Sequence, residues 1–145
     1  MRPAIFLDRD GVLIENRDAY VRRWDDVAFF PFTFDAMRAA AALPHAFFVV
    51  SNQAGVGKGV IPHDVAEDIN IRVAGEVNAR GGRIARAYFC PHRADENCEC
   101  RKPRPGMLLR AAREFDIDLA ASWMIGDNLT DMQAGRAAGA RCRTC

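Results

Sequence analysis

No stretch of this chain approaches the ~20 consecutive apolar residues that a membrane-spanning helix needs, so no membrane partner is expected. The first residues lack the basic, apolar and small-residue layout of a secretory signal, and the expected location is cytoplasmic. Charge of one sign is missing too. Twenty Lys and Arg against 19 Asp and Glu leave a formal net charge of +1. That balance offers no footprint for a polyanion, and no nucleic-acid partner is expected. Internal repeats, low-complexity tracts and linker-like segments are also absent, so the 145 residues read as one domain, 1–145. Histidine is scarce, with three in all, but cysteine is not: there are five. Without a secretory signal, five cysteines point to metal binding or free thiols before disulfides.

What the chain does have is short apolar runs alternating with segments of helical period, the pattern of an α/β fold with a parallel sheet. Ala4 to Leu7, Ala46 to Val50, Ala85 to Cys90 and Trp123 to Ile125 read as strands. Arg141 to Thr144 reads as the start of a fifth. Helices are expected over Thr33–Leu43, Pro62–Arg80, Pro105–Phe115 and Thr130–Ala138. The second of these carries Val65, Ile69, Val73 and Val77 at four-residue intervals and is closed by Gly81-Gly82.

Polar residues of specific kinds stand where these strands end, which is where open α/β sheets bind ligands. The first strand ends in Asp8-Arg9-Asp10-Gly11. Two acids one residue apart repel unless a cation lies between them, and Mg²⁺ takes carboxylate and carbonyl oxygens. The second strand ends in Ser51-Asn52-Gln53-Ala54-Gly55, a hydroxyl and amides ahead of a glycine-rich turn that can surround phosphate oxygens. Arg101-Lys102-Pro103 offers a forked and a compact cation for the same anion. Asp127 follows the fourth strand, where it can complete a Mg²⁺ site or cap the next helix. Asp131, one turn on, can orient a ligand or a lysine. Separately, Cys90, His92, Cys98 and Cys100 have the donor set and spacing of a closed, tetrahedral structural Zn²⁺ site spanning residues 90–100.

Taken in order, acid pair, hydroxyl, lysine and acid resemble the four motifs of the haloacid dehalogenase (HAD) superfamily of phosphohydrolases, subfamily III, over Ile5 to about Gly139. The resemblance implies a three-layer Rossmann-like fold with no large cap domain. It also implies a Mg²⁺-dependent phosphatase acting through an aspartyl phosphate on a small-molecule phosphate ester. Under it, Asp8 is the nucleophile and Asp10 the general acid and then base. Ser51 and Lys102 bind the phosphoryl group, and Asp8, Asp10 (through its carbonyl) and Asp127 hold the Mg²⁺. Asn52, Gln53, Ala54, Arg101 and Asn128 would lie near the substrate.

The zinc loop followed by Arg-Lys-Pro resembles two groups within the superfamily. One removes the 7-phosphate of a heptose bisphosphate, and the other acts on histidinol phosphate. Tyr20-Val21, Gly57-Lys58-Gly59 and Pro105-Gly106-Met107-Leu108-Leu109 favour the heptose group, whereas the five residues between His92 and Cys98 favour the other. Three departures from the pattern stand out. Phe32 occupies a usual glycine position, Asn128 a usual basic one, and little sequence follows the fifth strand. The last leaves monomer and homodimer both open, with edge protection from a partner subunit one route to stability. Cys142 and Cys145 read as a strand cysteine and a frayed end, with metal binding or a disulfide as the alternatives. A polynucleotide phosphatase and a non-catalytic phosphate-binding module are the rival functions. The neutral charge argues against the first, and the presence of Asp8, Asp10 and Asp127 against the second.

Overall fold

The computed structural model describes residues 1–145. Five strands form one parallel sheet: β1 (Ala4–Leu7), β2 (Ala46–Asn52), β3 (Ile84–Cys90), β4 (Trp123–Gly126) and β5 (Arg141–Thr144). Their spatial order is β3-β2-β1-β4-β5. The helices are α1 (Thr33–Ala40), α2 (Ala54–Gly57), α3 (His63–Ala79), α4 (Gly106–Phe115) and α5 (Leu129–Ala138). No helix is long and apolar enough to cross a membrane.

Both faces of the central strands are covered, which is why β1 and β2 read as unbroken apolar runs instead of alternating ones. Phe6, Phe48, Val50 and Met124 point to one face and pack with Met107, Leu108 and Ala111 of α4. Leu7, Phe47 and Val49 point to the other and pack with Met37 of α1 and Ile69, Val73 and Val77 of α3. The four-residue spacing in α3 is therefore the stripe that meets the sheet. This is the expected α/β, Rossmann-like three-layer arrangement.

β1 pairs with β2 on one side and β4 on the other, so the chain reverses its direction of progress across the sheet at β1. That reversal opens a crevice at the carboxyl ends of β1, β2 and β4. β5 is a paired strand, matching Trp123–Gly126 residue for residue with Arg141–Thr144. The thiol of Cys142 is half-buried and donates to the Met132 carbonyl at 3.2 Å, while Cys145 is exposed; neither is in a disulfide. Phe32 has φ −91°, an ordinary right-handed value, so this turn requires no glycine. Its ring stacks on Phe30 at 5.3 Å.

Candidate active site

Asp8 leaves the end of β1 almost fully buried. Its Oδ1 accepts from the backbone N–H of Arg9 at 2.8 Å and from the Lys102 ammonium at 3.1 Å. Burial pushes its pKa from 3.8 up to about 6, with Lys102 pulling it down and the Asp131 charge adding to the rise. Lys102 is 3 % exposed and uses all three of its donors. Besides Asp8 they reach Asp131 Oδ1 at 2.6 Å and the Val50 carbonyl at 2.8 Å. Asp131 thus orients the lysine, one of the two roles its position allowed.

The backbone of Lys102 is fixed by Asn52, which also lines the cavity where it was expected to meet substrate. Asn52 Oδ1 accepts from the Lys102 N–H at 2.9 Å, and Asn52 Nδ2 donates to the Lys102 carbonyl at 3.0 Å. Both ends of the amide are therefore engaged in joining the tip of β2 to the basic turn.

Two glycines admit carboxylates to the crevice. Gly11 has φ +84°, and a Cβ there would overlap the Asp127 carboxylate. A Cβ on Gly126 would likewise overlap the carboxylate of Asp131. The helix cap is Asn128, not Asp127: the Asn128 N–H donates to Asp131 Oδ2 at 3.1 Å in a capping box. Asp127 stays exposed, accepting from Asn128 Nδ2 at 3.0 Å.

The carboxylate oxygens of Asp8, Asp127 and Asp131 lie within 4.8 Å of one another. Three carboxylates face a single lysine, so the cluster carries excess negative charge and only hard oxygen donors. That donor set fits Mg²⁺. The Asp10 carboxylate is not in this cluster. It is gripped by Arg9 through Nε at 2.8 Å and Nη2 at 3.3 Å.

A cavity of about 190 Å³ lies over these groups, lined by Asp8, Asp10, Asn16, Ser51, Asn52, Lys102, Asn128, Thr130 and Asp131, with no hydrophobic residue among them. Asn16 and Thr130 were not expected from the sequence. Thr130 was legible in principle, three residues after Asp127, but Asn16 lies in a loop without periodicity. Three residues expected near the substrate do not line this cavity. Gln53 is buried, bonded to Asn70 at 3.1 Å and Ser51 at 3.4 Å. Ala54 opens α2 and does not line the cavity. Arg101 donates to the His92 carbonyl at 3.4 Å and braces the neighbouring loop.

In that loop the donors of Cys90, His92, Cys98 and Cys100 also lie within 4.8 Å of one another. Most edges measure 3.2 to 3.7 Å: Cys90–Cys98 3.5, Cys98–Cys100 3.7, Cys90–His92 3.4 and His92–Cys100 3.2. A tetrahedron with Zn–S bonds of ~2.3 Å has edges of about 3.7 Å, so the cluster fits zinc after a slight expansion. The widest adjustment is at Cys90–Cys100, now 2.8 Å. Burial pushes the thiols of Cys90 and Cys100 up, so a cation is needed to hold them as thiolates.

A parallel sheet with an aspartate at the switch point, a buried lysine beside it and acids closing the crevice defines a HAD-like hydrolase. The HAD-hydrolase-like family model matches residues 99–143. The D-glycero-β-D-manno-heptose-1,7-bisphosphate 7-phosphatase of Yersinia pestis is 41 % identical over 143 residues, covering 94 % of this chain and 76 % of that one. The Escherichia coli K12 enzyme of the same name is 39 % identical, covering 94 % and 74 %. The crystal structure of D,D-heptose 1,7-bisphosphate phosphatase from B. bronchiseptica, complexed with magnesium and phosphate, superposes with a TM-score of 0.89 at 33 % identity, covering 97 % and 78 %. The chain belongs to this family of heptose-bisphosphate phosphatases, and it is a phosphatase.

Proposed function

We propose that this chain removes the 7-phosphate of D-glycero-D-manno-heptose 1,7-bisphosphate, with Asp8 as nucleophile. The observation that carries the chemistry is the placement of Asp8, 3.1 Å from the Lys102 ammonium, in a small cavity lined only by polar groups. Such a cavity suits a phosphoryl group and leaves no apolar room for the rest of the ester. The substrate rests on the names of the relatives, 33–41 % identical over nine-tenths of the chain.

An Asp8 carboxylate oxygen attacks phosphorus in line, and the bond to the ester oxygen breaks as the new one forms. Asp10, entering as the acid, gives its proton to the departing alkoxide. Water then attacks the aspartyl phosphate, Asp10 takes one of its protons, and phosphate leaves with Asp8 restored. Positioning and charge neutralisation supply most of the acceleration in such a transfer. Lys102 and Ser51 face the phosphoryl oxygens, and Asp131 holds the Lys102 ammonium in place. Asp8, Asp127 and the Asp10 carbonyl would hold Mg²⁺, which when bound neutralises charge on the transferring group. Zinc on Cys90, His92, Cys98 and Cys100 would keep the segment before Lys102 folded.

The test is phosphate release from heptose 1,7-bisphosphate and histidinol phosphate side by side, with Mg²⁺ and with Asp8→Asn as the blank. Efficient turnover of the heptose ester, with kcat/KM at or above roughly 10⁴ M⁻¹s⁻¹, is expected. Preference for histidinol phosphate would move the enzyme to the other group, and activity surviving Asp8→Asn would end the nucleophile assignment.

A further inference from the structure

Arg9 stands between the two aspartates of the first motif and is 3 % exposed despite its charge. Its Nε and Nη2 hold the two oxygens of Asp10, and its Nη1 donates to Asn70 Oδ1 at 3.0 Å. Asn70 lies in α3 and is itself 2 % exposed. Its Nδ2 donates to the Ala66 carbonyl, one turn back, at 3.0 Å. That bond settles which end of the amide faces the arginine. Oδ1 then accepts twice, from Arg9 and from Gln53 Nε2 at 3.1 Å.

An unbroken chain of contacts, buried except at its Asp10 end, therefore runs Asp10–Arg9–Asn70–Gln53–Ser51. It links the exits of β1 and β2 through one helix residue. The rest of this face of α3 is apolar, with Ala66, Ile69, Val73 and Val77 buried around Asn70. Packing alone asks for no amide there. Asparagine is also a mediocre helix former, because its side chain competes for backbone partners.

We propose that Asn70 is a positioning residue of the phosphatase reaction: it locks Arg9, and the locked guanidinium holds the Asp10 carboxyl in the orientation that serves the leaving oxygen. A guanidinium fixed at all three nitrogens cannot turn. Without the Asn70 oxygen, Nη1 loses the one partner it has here, and the fork and the carboxyl it holds are free to swing. The Asp10 side chain is 30 % exposed, so water offers an alternative orientation. The inference rests on the reading of Asp10 as the acid that protonates the leaving group.

The experiment compares an alkyl phosphate with p-nitrophenyl phosphate. The alkoxide leaves poorly without a proton, whereas the nitrophenolate leaves without one. Asn70→Leu is expected to lower kcat/KM on the alkyl ester about 10-fold or more and to leave kcat/KM on the aryl ester little changed. This ratio ends at departure of the leaving group and so omits the later step in which Asp10 acts as base. Asp10→Asn, run alongside, is expected to show the same selectivity at larger amplitude. Asn70→Ser keeps a polar group but withdraws it from Arg9; it is expected to show a smaller version and serves if the leucine variant does not fold. Equal loss on both esters would make Asn70 a packing residue, and no loss would show that Asp10 is positioned without it; either overturns the proposal. If Asp10→Asn discriminates between the esters and neither Asn70 variant does, only this inference falls. If Asp10→Asn lowers kcat/KM on both equally, the acid assignment falls and takes the inference with it.

Discussion

The Lys102 ammonium lies 2.6 Å from the Asp131 carboxylate, with both side chains almost wholly removed from water. The same nitrogen is 3.1 Å from Asp8, so one cation holds two buried acids at the floor of the crevice. Removing the one cation from this buried set is the damaging change, because both acids then keep charges with no partner. Lys102→Met should abolish turnover and, without added metal at neutral pH, destabilise the fold by about 3–5 kcal/mol. Urea denaturation checks the second part. A loss of activity with an unchanged midpoint would mean that the lysine serves chemistry alone.

Asp8 carries a stability penalty of its own. Its folded pKa is about 6, above the ordinary 3.8 expected in the unfolded chain. Below pH 4 both states hold the proton and nothing is lost. As pH climbs from 4 to 6 the unfolded chain ionises first, so stability falls, by up to about 3 kcal/mol, and stays lower above 6. With chelator present, Asp8→Asn should therefore melt higher than the parent at pH 7.5, and the two should converge near pH 4. Thermal melts across that range decide it. A variant less stable than the parent at neutral pH would contradict the burial argument.

Gly11→Ala puts a methyl group into the space of the Asp127 carboxylate and forces an L side chain to φ +84°. Backbone strain of this kind costs about 1–3 kcal/mol. Displacing Asp127 should also lower kcat/KM by roughly 10²-fold. Raising the Mg²⁺ concentration should recover part of the activity and none of the stability. Titrating Mg²⁺ in activity assays, beside a melting curve, separates the two effects.

Cys100→Ser should abolish stoichiometric zinc, measured by elemental analysis of the purified protein. Because Lys102 follows two residues later, the loss should also reduce turnover, and extra Mg²⁺ should not restore it. Full activity with zinc absent would detach the loop from the catalytic floor.

The strongest local patterns were the legible ones. Four-residue spacing marked α3 to within a residue at each end, and the apolar run before Asp8 marked β1. Helix α1 stops at Ala40, earlier than the apolar pattern through Leu43 suggested, because the last residues form a turn that leaves Leu43 exposed. Helix α2 was read only as a glycine-rich turn, since two glycines in four residues hide a single helical turn. At the site, Asp8 and Ser51 stand at strand ends, Asp131 in the first turn of α5 and Lys102 in the turn before α4, so all four meet at one edge of the sheet. Asn70 had no such marker. One polar residue in the interior of an apolar helix face looks like a break in a pattern until its partners from β1 and β2 are seen beside it.

The paired bonds between the Asn52 amide and the Lys102 backbone have a consequence for how such an enzyme can be altered. They rivet the Cys90–Cys100 loop to the sheet at a point downstream of all four thiol and imidazole donors. The loop's outer portion can therefore change length or composition while the lysine keeps its seat. Anyone grafting a foreign loop between Cys90 and Cys100 to retune selectivity has to carry that asparagine along, or lose the anchor on which the transplant depends.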